Sequence, residues 1–418
     1  MEPWTSVHDC FSRKERSACG EALSAVTDQL HSLFPELERD LRSLSFSTGI
    51  FPSQKIHELI KDGRIASSTP IEEDQIQPSS IDLRLGPIAY RMRASFLPGP
   101  NGIIEHKLRN LVMSEVDLTR PTVFERGSVY LVPLMEFLAL PPQTSAKANP
   151  KSTTGRLDIF TRLICDGAAE FERVPEGYKG MLYAEVVPRT FAIIVRQGVK
   201  LNQLRFVRGC PSPTESMHRK LDASEGLVYD EEDSRRDADI DRGIMVSLNL
   251  EGTKEDNIIG YRGKHNAPAI DLLKVDYYDP EEFWEPIPAP RSKRIILNPD
   301  DFYLLLSKRK VSVPPGSAAE MVAYDPSMGE FRIHYAGFFD PGFGYGARDV
   351  KGSYAVLEVR SHEVPFLIED GQIVGRLIYE RMLAAPDKIY GMGIGSSYQG
   401  QGLALSKQFK RFRHTATL

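Results

Sequence analysis

The sequence predicts a mainly β protein made of two tandem barrel- or sandwich-like domains, a few short helices and an N-terminal helical extension. Three observations predict this. At 418 residues the chain is too long for one ordinary core. From "QPSSIDLRLG" (77–86) onward its apolar runs are short, alternating or β-branched, and Pro and Gly break them repeatedly. The chain also repeats itself. Shifted by 173 residues, Tyr130-Leu131 falls on Tyr303-Leu304, Pro141-Pro142 on Pro314-Pro315 and Glu185-Val186 on Glu358-Val359. Gly198 falls on Gly371 and Leu204 on Leu377 in the same register, with no gap.

The elements follow in order. Residues 1–48 form the extension, where leucines 30, 33, 37, 41 and 44 keep a helical period and Pro35 splits it. A surface helix or a poorly ordered extension fits that stretch, and so does a partner-docking helix. A first β-domain spans 49–222. It opens with a short helix in "GIFPSQKIHELIKDGRI", with Pro52 near its first turn and Ile56, Leu59 and Ile60 on one face. Strands follow in "VYLVPLMEFLAL", "MLYAEVV" and "FAIIVR". Residues 223–239 are charged, lack an apolar period and read as an exposed linker. A second β-domain spans 240–418, with strands in "FYLLLSKRKVSV", "YAVLEVRS" and "VPFLIEDGQIVGRLIYE". "IMVSLNLEG" (244–252) reads as a worn copy of "PSSIDLRLG" (78–86).

Bulk properties exclude several classes. An apolar fraction of 41% and a charged fraction of 26% fit a soluble globular protein. No apolar run approaches the roughly 18–20 residues that span a bilayer, and the first 20 residues carry no secretory h-region. A net charge of −5 argues against a nucleic-acid binder but leaves small anions open. The four cysteines, Cys10, Cys19, Cys165 and Cys210, form no CxxC pair, so the chain is expected in a reducing, cytoplasmic setting.

The two copies differ where chemistry is expected. "KSTTGR" (151–156) packs a lysine, three hydroxyls, a glycine and an arginine into one turn. Such donors suit a polyphosphate, although Ser, Thr and Gly are also ordinary turn residues. In the repeat register Ser152 falls on Asp325 and Arg156 on Gly329, so the second copy lacks this turn. It has instead the glycine-rich "HYAGFFDPGFGYG" (334–346) around Asp340. Both copies keep a glutamate inside an apolar strand, Glu185 and Glu358. Alternation could face either to solvent. Facing a cleft, it would have its pKa raised into the range useful for general acid/base work.

Together these residues resemble the dCTP deaminase branch of the trimeric dUTPase-like superfamily, in its long, two-copy bacterial form. The resemblance rests on the opening helix and "IQPSSIDLRLG", on "KSTTGR" as a phosphate and catalytic motif, on "AGFFDPGFG" with the "AVLEV" strand, and on "IYGMGIGSSYQGQG" (389–402) as a closing tail. It implies dUTPase-like distorted β-barrel (jelly-roll-like) domains and deamination of dCTP to dUTP and ammonia. The implied catalytic residues are Ser152, Arg156, Glu185 and Glu358. The implied nucleotide-binding residues are Lys151, Thr153, Asp340, Tyr390 and Gln401. Lys151 stands where the family usually has arginine, and Ser397 where many members have lysine. Mg²⁺ is expected with the triphosphate. The zinc deaminase pattern H-x-E…P-C-x-x-C is absent, so no zinc is expected. The partners implied are dCTP and dUTP, with dTTP as a candidate inhibitor, and further copies of the chain, most simply a homotrimer of six domains. In the superfamily the phosphate and nucleoside motifs of one site come from different subunits. The copies here would then have divided the labour, or first copies alone would build the site. A dUTP pyrophosphatase, a bifunctional deaminase/dUTPase and a non-catalytic nucleotide-binding oligomer are the rival readings.

Overall fold

The computed structural model describes residues 47–211, 213–254, 257–323, 331–333, 337–346, 351–361, 364–391 and 402–412. The expected N-terminal helix, Ser397 and Gln401 lie outside the described residues. Among those described, short strands dominate and helices are few and short. No helix among them is long and apolar enough to cross a membrane.

The repeat is visible strand for strand. Thr144–Pro150 and Ser317–Ala323 are related by the 173-residue shift at both ends. So are Lys200–Arg208 and Ile373–Arg381. Pairing repeats as well: Glu185 lies opposite Leu131 and Glu358 opposite Leu304. The opening strands correct the sequence alignment by three residues. Ile81 pairs with Leu204 and Ile244 with Leu377, so Ile244 matches Ile81 and not Pro78.

Local chemistry explains the helices. Ser53–Lys61 begins after extended Pro52, buries Ile56 and Leu59, and Gly63 turns the chain at φ 65°. Its counterpart, Glu215–Glu225, is capped by the Thr214 side chain, which accepts from the Met217 amide. This helix corrects the expected linker. It runs past residue 222, buried His218 accepts from the Tyr379 amide through Nε2, and Leu227, Val228 and Ile240 are buried in the second copy's core. Two adjacent apolar anchors inside that charged stretch and a third just past its end are too few to produce a period.

Each copy folds as facing sheets, and the two copies share a core. The first copy's sheets centre on Lys200–Arg208 and Val129–Ala139, and the second's on Ile373–Arg381 and Phe302–Val311. Ile270–Asp271 of the second copy runs parallel to Ile193–Val195 of the first. Tyr261, Phe283, Trp284, Phe302 and Leu304 pack into the same apolar cluster as Phe191, Ile193 and Leu204. This seam brings one copy's turn against the other's strand.

Candidate active site

A cavity of about 1030 Å³ opens along the seam. From the first copy it takes Asp82 and Lys151 to Arg156. From the second it takes Asp340, Glu358 and Tyr390, then Lys407 and Gln408 of the C-terminal segment. The structure therefore gathers Lys151, Ser152, Thr153, Arg156, Glu358, Asp340 and Tyr390 in one place.

The turn is a short helical loop over Ser152–Gly155. The Lys151 carbonyl accepts from the amides of Thr154 (2.8 Å) and Gly155 (3.0 Å). The amides of Ser152 and Thr153 come first in the helical turn, where no intrahelical acceptor exists. Thr154 Oγ1 donates to the Leu201 carbonyl at 2.9 Å, tying the turn to the adjacent strand. The Lys151 ammonium pairs with the Asp82 carboxylate. Burial raises the Asp82 carboxyl above its usual range while Lys151 pulls it down, and Asp82 Oδ1 is buried without a hydrogen-bond partner. Arg156 is 7% exposed, and its Nη1 donates to the Ala404 carbonyl at 2.8 Å.

Glu358 is 6% exposed on Ser353–Ser361. Burial pushes its carboxyl up to about 8, and the Arg156 guanidinium opposes that rise. The other glutamate is placed elsewhere: Glu185 does not line the cavity. Arg162 lies directly opposite it on the neighbouring strand and donates to Glu185 Oε1 from Nε (3.0 Å) and Nη2 (2.5 Å). That guanidinium also sits 3.5 Å from the Phe171 ring centroid, so the pair is packed as well as charged.

Asp340 anchors the glycine-rich hairpin to the first copy. Ser79 Oγ donates to Asp340 Oδ1 at 2.5 Å, and fully buried Arg205 places Nη2 3.6 Å from the same oxygen. Arg205 also lies 3.9 Å from the Phe338 ring centroid. Burial raises the Asp340 carboxyl, and Arg205 and Ser79 oppose it. Tyr390 closes on the hairpin through its amide, which donates to the Pro341 carbonyl at 2.8 Å. Gly342 is required there: φ is 96°, and a Cβ would lie 1.9 Å from Ile389 Cγ2. Residues 402–412 lie over the turn, where Ser406 Oγ donates to the Thr153 carbonyl at 2.9 Å. Sequence reasoning missed Asp82, Ser79, Arg205 and Lys407. Asp82 and Arg205 did leave a signal, as charges flanked on both sides by apolar residues, Ile81 and Leu83 for the first and Leu204 and Phe206 for the second.

Two family descriptions together match most of the chain. Residues 47–210 match the 2′-deoxycytidine 5′-triphosphate deaminase N-terminal domain and residues 214–409 its C-terminal domain. The crystal structure of 2′-deoxycytidine 5′-triphosphate deaminase from Agrobacterium tumefaciens is similar at 51% identity and a TM-score of 0.77, covering 81% of this chain and all of that one. A "dCTP deaminase, dUMP-forming" of Leifsonia xyli is 31% identical over 36% of this chain and 72% of its own length. One of Halobacterium salinarum is 27% identical over 42% of this chain and 90% of its own.

Proposed function

The chain belongs to the 2′-deoxycytidine 5′-triphosphate deaminase family and is a hydrolytic dCTP deaminase, and from that premise we propose one composite site per chain with Glu358 as its general base. The observation that carries this is the placement of Arg156 and Glu358, from different copies, in one cavity. Glu358 takes a proton from water as the oxygen adds to C4 of cytosine and later passes it to the departing amine, while the added hydroxyl's remaining proton ends on ring N3 as the C4 carbonyl forms and ammonia leaves. Ser152 holds the water. Arg156 favours the ionised carboxylate and stabilises charge developing on the ring. Lys151 and the amides of Ser152 and Thr153 hold the phosphates, so remote binding positions the base for attack. Asp340 fixes the hairpin that receives the nucleoside, and Tyr390 and Gln401 belong to the closing tail.

Zinc has no role in this scheme. Mg²⁺ fits as a companion of the triphosphate. Unpartnered Asp82 Oδ1 at the Lys151 end of the cavity is the donor suited to it, and the ion would neutralise phosphate charge there. A reducing, cytoplasmic setting, dTTP as inhibitor and a trimer of chains belong to the same reading.

The reaction ends at dUTP and ammonia in this proposal. The relatives named dUMP-forming favour a second reading, in which pyrophosphate also leaves. Incubation with dCTP, with nucleotide products resolved chromatographically and ammonia and pyrophosphate assayed, separates the two. Ammonia with dUTP supports the first, and ammonia with stoichiometric pyrophosphate and dUMP supports the second. No ammonia from dCTP would sink both.

A further inference from the structure

We propose that Asp158 and Arg360, with Thr190 between them, are positioning residues that hold the first copy's turn in register with the second copy's acid. Asp158 lies two residues beyond Arg156, and Arg360 two beyond Glu358. On a strand, residues two apart point to the same face, so Glu358 and Arg360 project together toward the turn. Arg360 Nε (3.0 Å) and Nη2 (2.6 Å) both donate to Asp158 Oδ2. Thr190 Oγ1 donates to the same oxygen at 2.6 Å and accepts from Arg360 Nη2 at 3.0 Å. Arg360 Nη1 donates to the Asp300 carbonyl at 2.8 Å. Asp158 is fully buried and Arg360 5% exposed.

The backbone on the turn side is equally fixed. Asp158 holds a left-handed φ of 54°, its amide donates to the Gly155 carbonyl (2.9 Å), and its carbonyl accepts from the Arg189 amide (3.0 Å). The clamp thus runs beside the cavity that Arg156 and Glu358 both line, one step further along each chain segment. It is also asymmetric. In the repeat register Val187 stands where the second copy has Arg360, so the first copy cannot form the pair internally. It occurs at the seam where the catalytic set is complete. A buried ion pair is weak evidence for stability, since an apolar pair of the same volume often serves as well. Fixing two segments to within a fraction of an ångström is what a fork-shaped guanidinium does better.

The inference rests on the proposed role of Glu358, and one set of assays tests both. Arg360→Lys keeps the charge and loses the fork, and Thr190→Val removes the bridging hydroxyl alone. With wild type and Glu358→Gln alongside, kcat, KM for dCTP and the pH–rate profile are measured per folded enzyme. Arg360→Lys is expected to lower kcat about 10- to 100-fold with KM changed by less than about 3-fold. Its acidic limb should move up by about 1 pH unit, because Arg156 no longer holds the Glu358 carboxyl down. Thr190→Val should move both readouts in the same direction by less, about 3- to 10-fold in kcat, and it decides the matter if Arg360→Lys does not fold. A purely structural pair would lower the melting temperature and leave kcat and the limb in place, which overturns the inference. Retained turnover in Glu358→Gln overturns the base assignment and the inference together. Loss there with wild-type behaviour in the other two overturns the inference alone.

Discussion

Two glutamates at equivalent positions of equivalent strands meet different fates because of one neighbour each. Glu185 faces Arg162 across its own sheet and pairs with it. Glu358 is instead buried with the Arg156 charge, which arrives from the other copy, acting on it. Both acids were legible as candidates in the sequence, but the choice between them was not. It depends on which arginine's charge acts on each, and that of Arg156 acts on Glu358 only through the fold of the whole chain. The pH consequences follow from the raised carboxyl. A general base works only when ionised, so kcat/KM should climb with pH and level off above about 8. Stability has the opposite sense. Between the ordinary value of 4.5 and about 8, the folded state keeps a proton that the unfolded chain has lost. The resulting contribution is complete below 4.5 and disappears as pH rises through 8. Glu358→Gln should therefore cut kcat about 10²- to 10⁴-fold. In nucleotide-free protein its melting temperature should fall less between pH 5 and 9 than that of wild type, as read by calorimetry. Equal falls in the two proteins would show that Glu358 is already ionised when folded.

Among the elements, strands with an apolar run and clear breakers were read from sequence with bounds close to those observed. Val129–Ala139 and Ser353–Ser361 are examples. The 173-residue shift worked because side-chain alternation cannot slip by one without turning a buried face outward. Segments whose burial comes from a few scattered anchors escaped, as in 223–239. The C-terminal run shows the same limit, since its placement depends on aromatic contacts distant in sequence. Phe409 is 6% exposed, with ring centroids 5.3 Å from Phe283 and 6.0 Å from Trp284, and Phe412 stacks on Tyr261 at 4.9 Å. These rings seat the segment whose Ala404 carbonyl receives Arg156 and whose Ser406 hydroxyl reaches Thr153. Phe409→Ala should cost about 3 kcal/mol of stability by denaturant unfolding. It should also lower kcat/KM for dCTP at least about 10-fold, because the arginine loses its acceptor. A full loss of stability with unchanged kcat/KM would mean that the segment braces the fold without serving the site.

At the scale of the molecule, duplication supplied two turns, two hairpins and two strand acids, and the chain completes one set. The phosphate turn survives in the first copy and the hairpin in the second, and their shared core presses the two together. The division of labour was legible as missing motifs, whereas their meeting within one chain required the seam to be seen. Because Arg156 and Glu358 line one cavity inside a single chain, assembly into the proposed trimer is not needed to build it. Binding stoichiometry is then set by chain count. Calorimetric titration of Glu358→Gln with dCTP, which turns over too slowly to confuse the heats, should give one nucleotide per chain. Glu185→Gln separates the copies further. It leaves Arg162, about a quarter exposed, without its carboxylate, so stability should fall by about 2 kcal/mol. Its kcat should stay within about 2-fold of wild type, since the amide lies outside the cavity and distant changes couple weakly. Two nucleotides per chain, or a loss of turnover in Glu185→Gln comparable to that in Glu358→Gln, would mean that the first copy's acid serves a second site, built where chains meet.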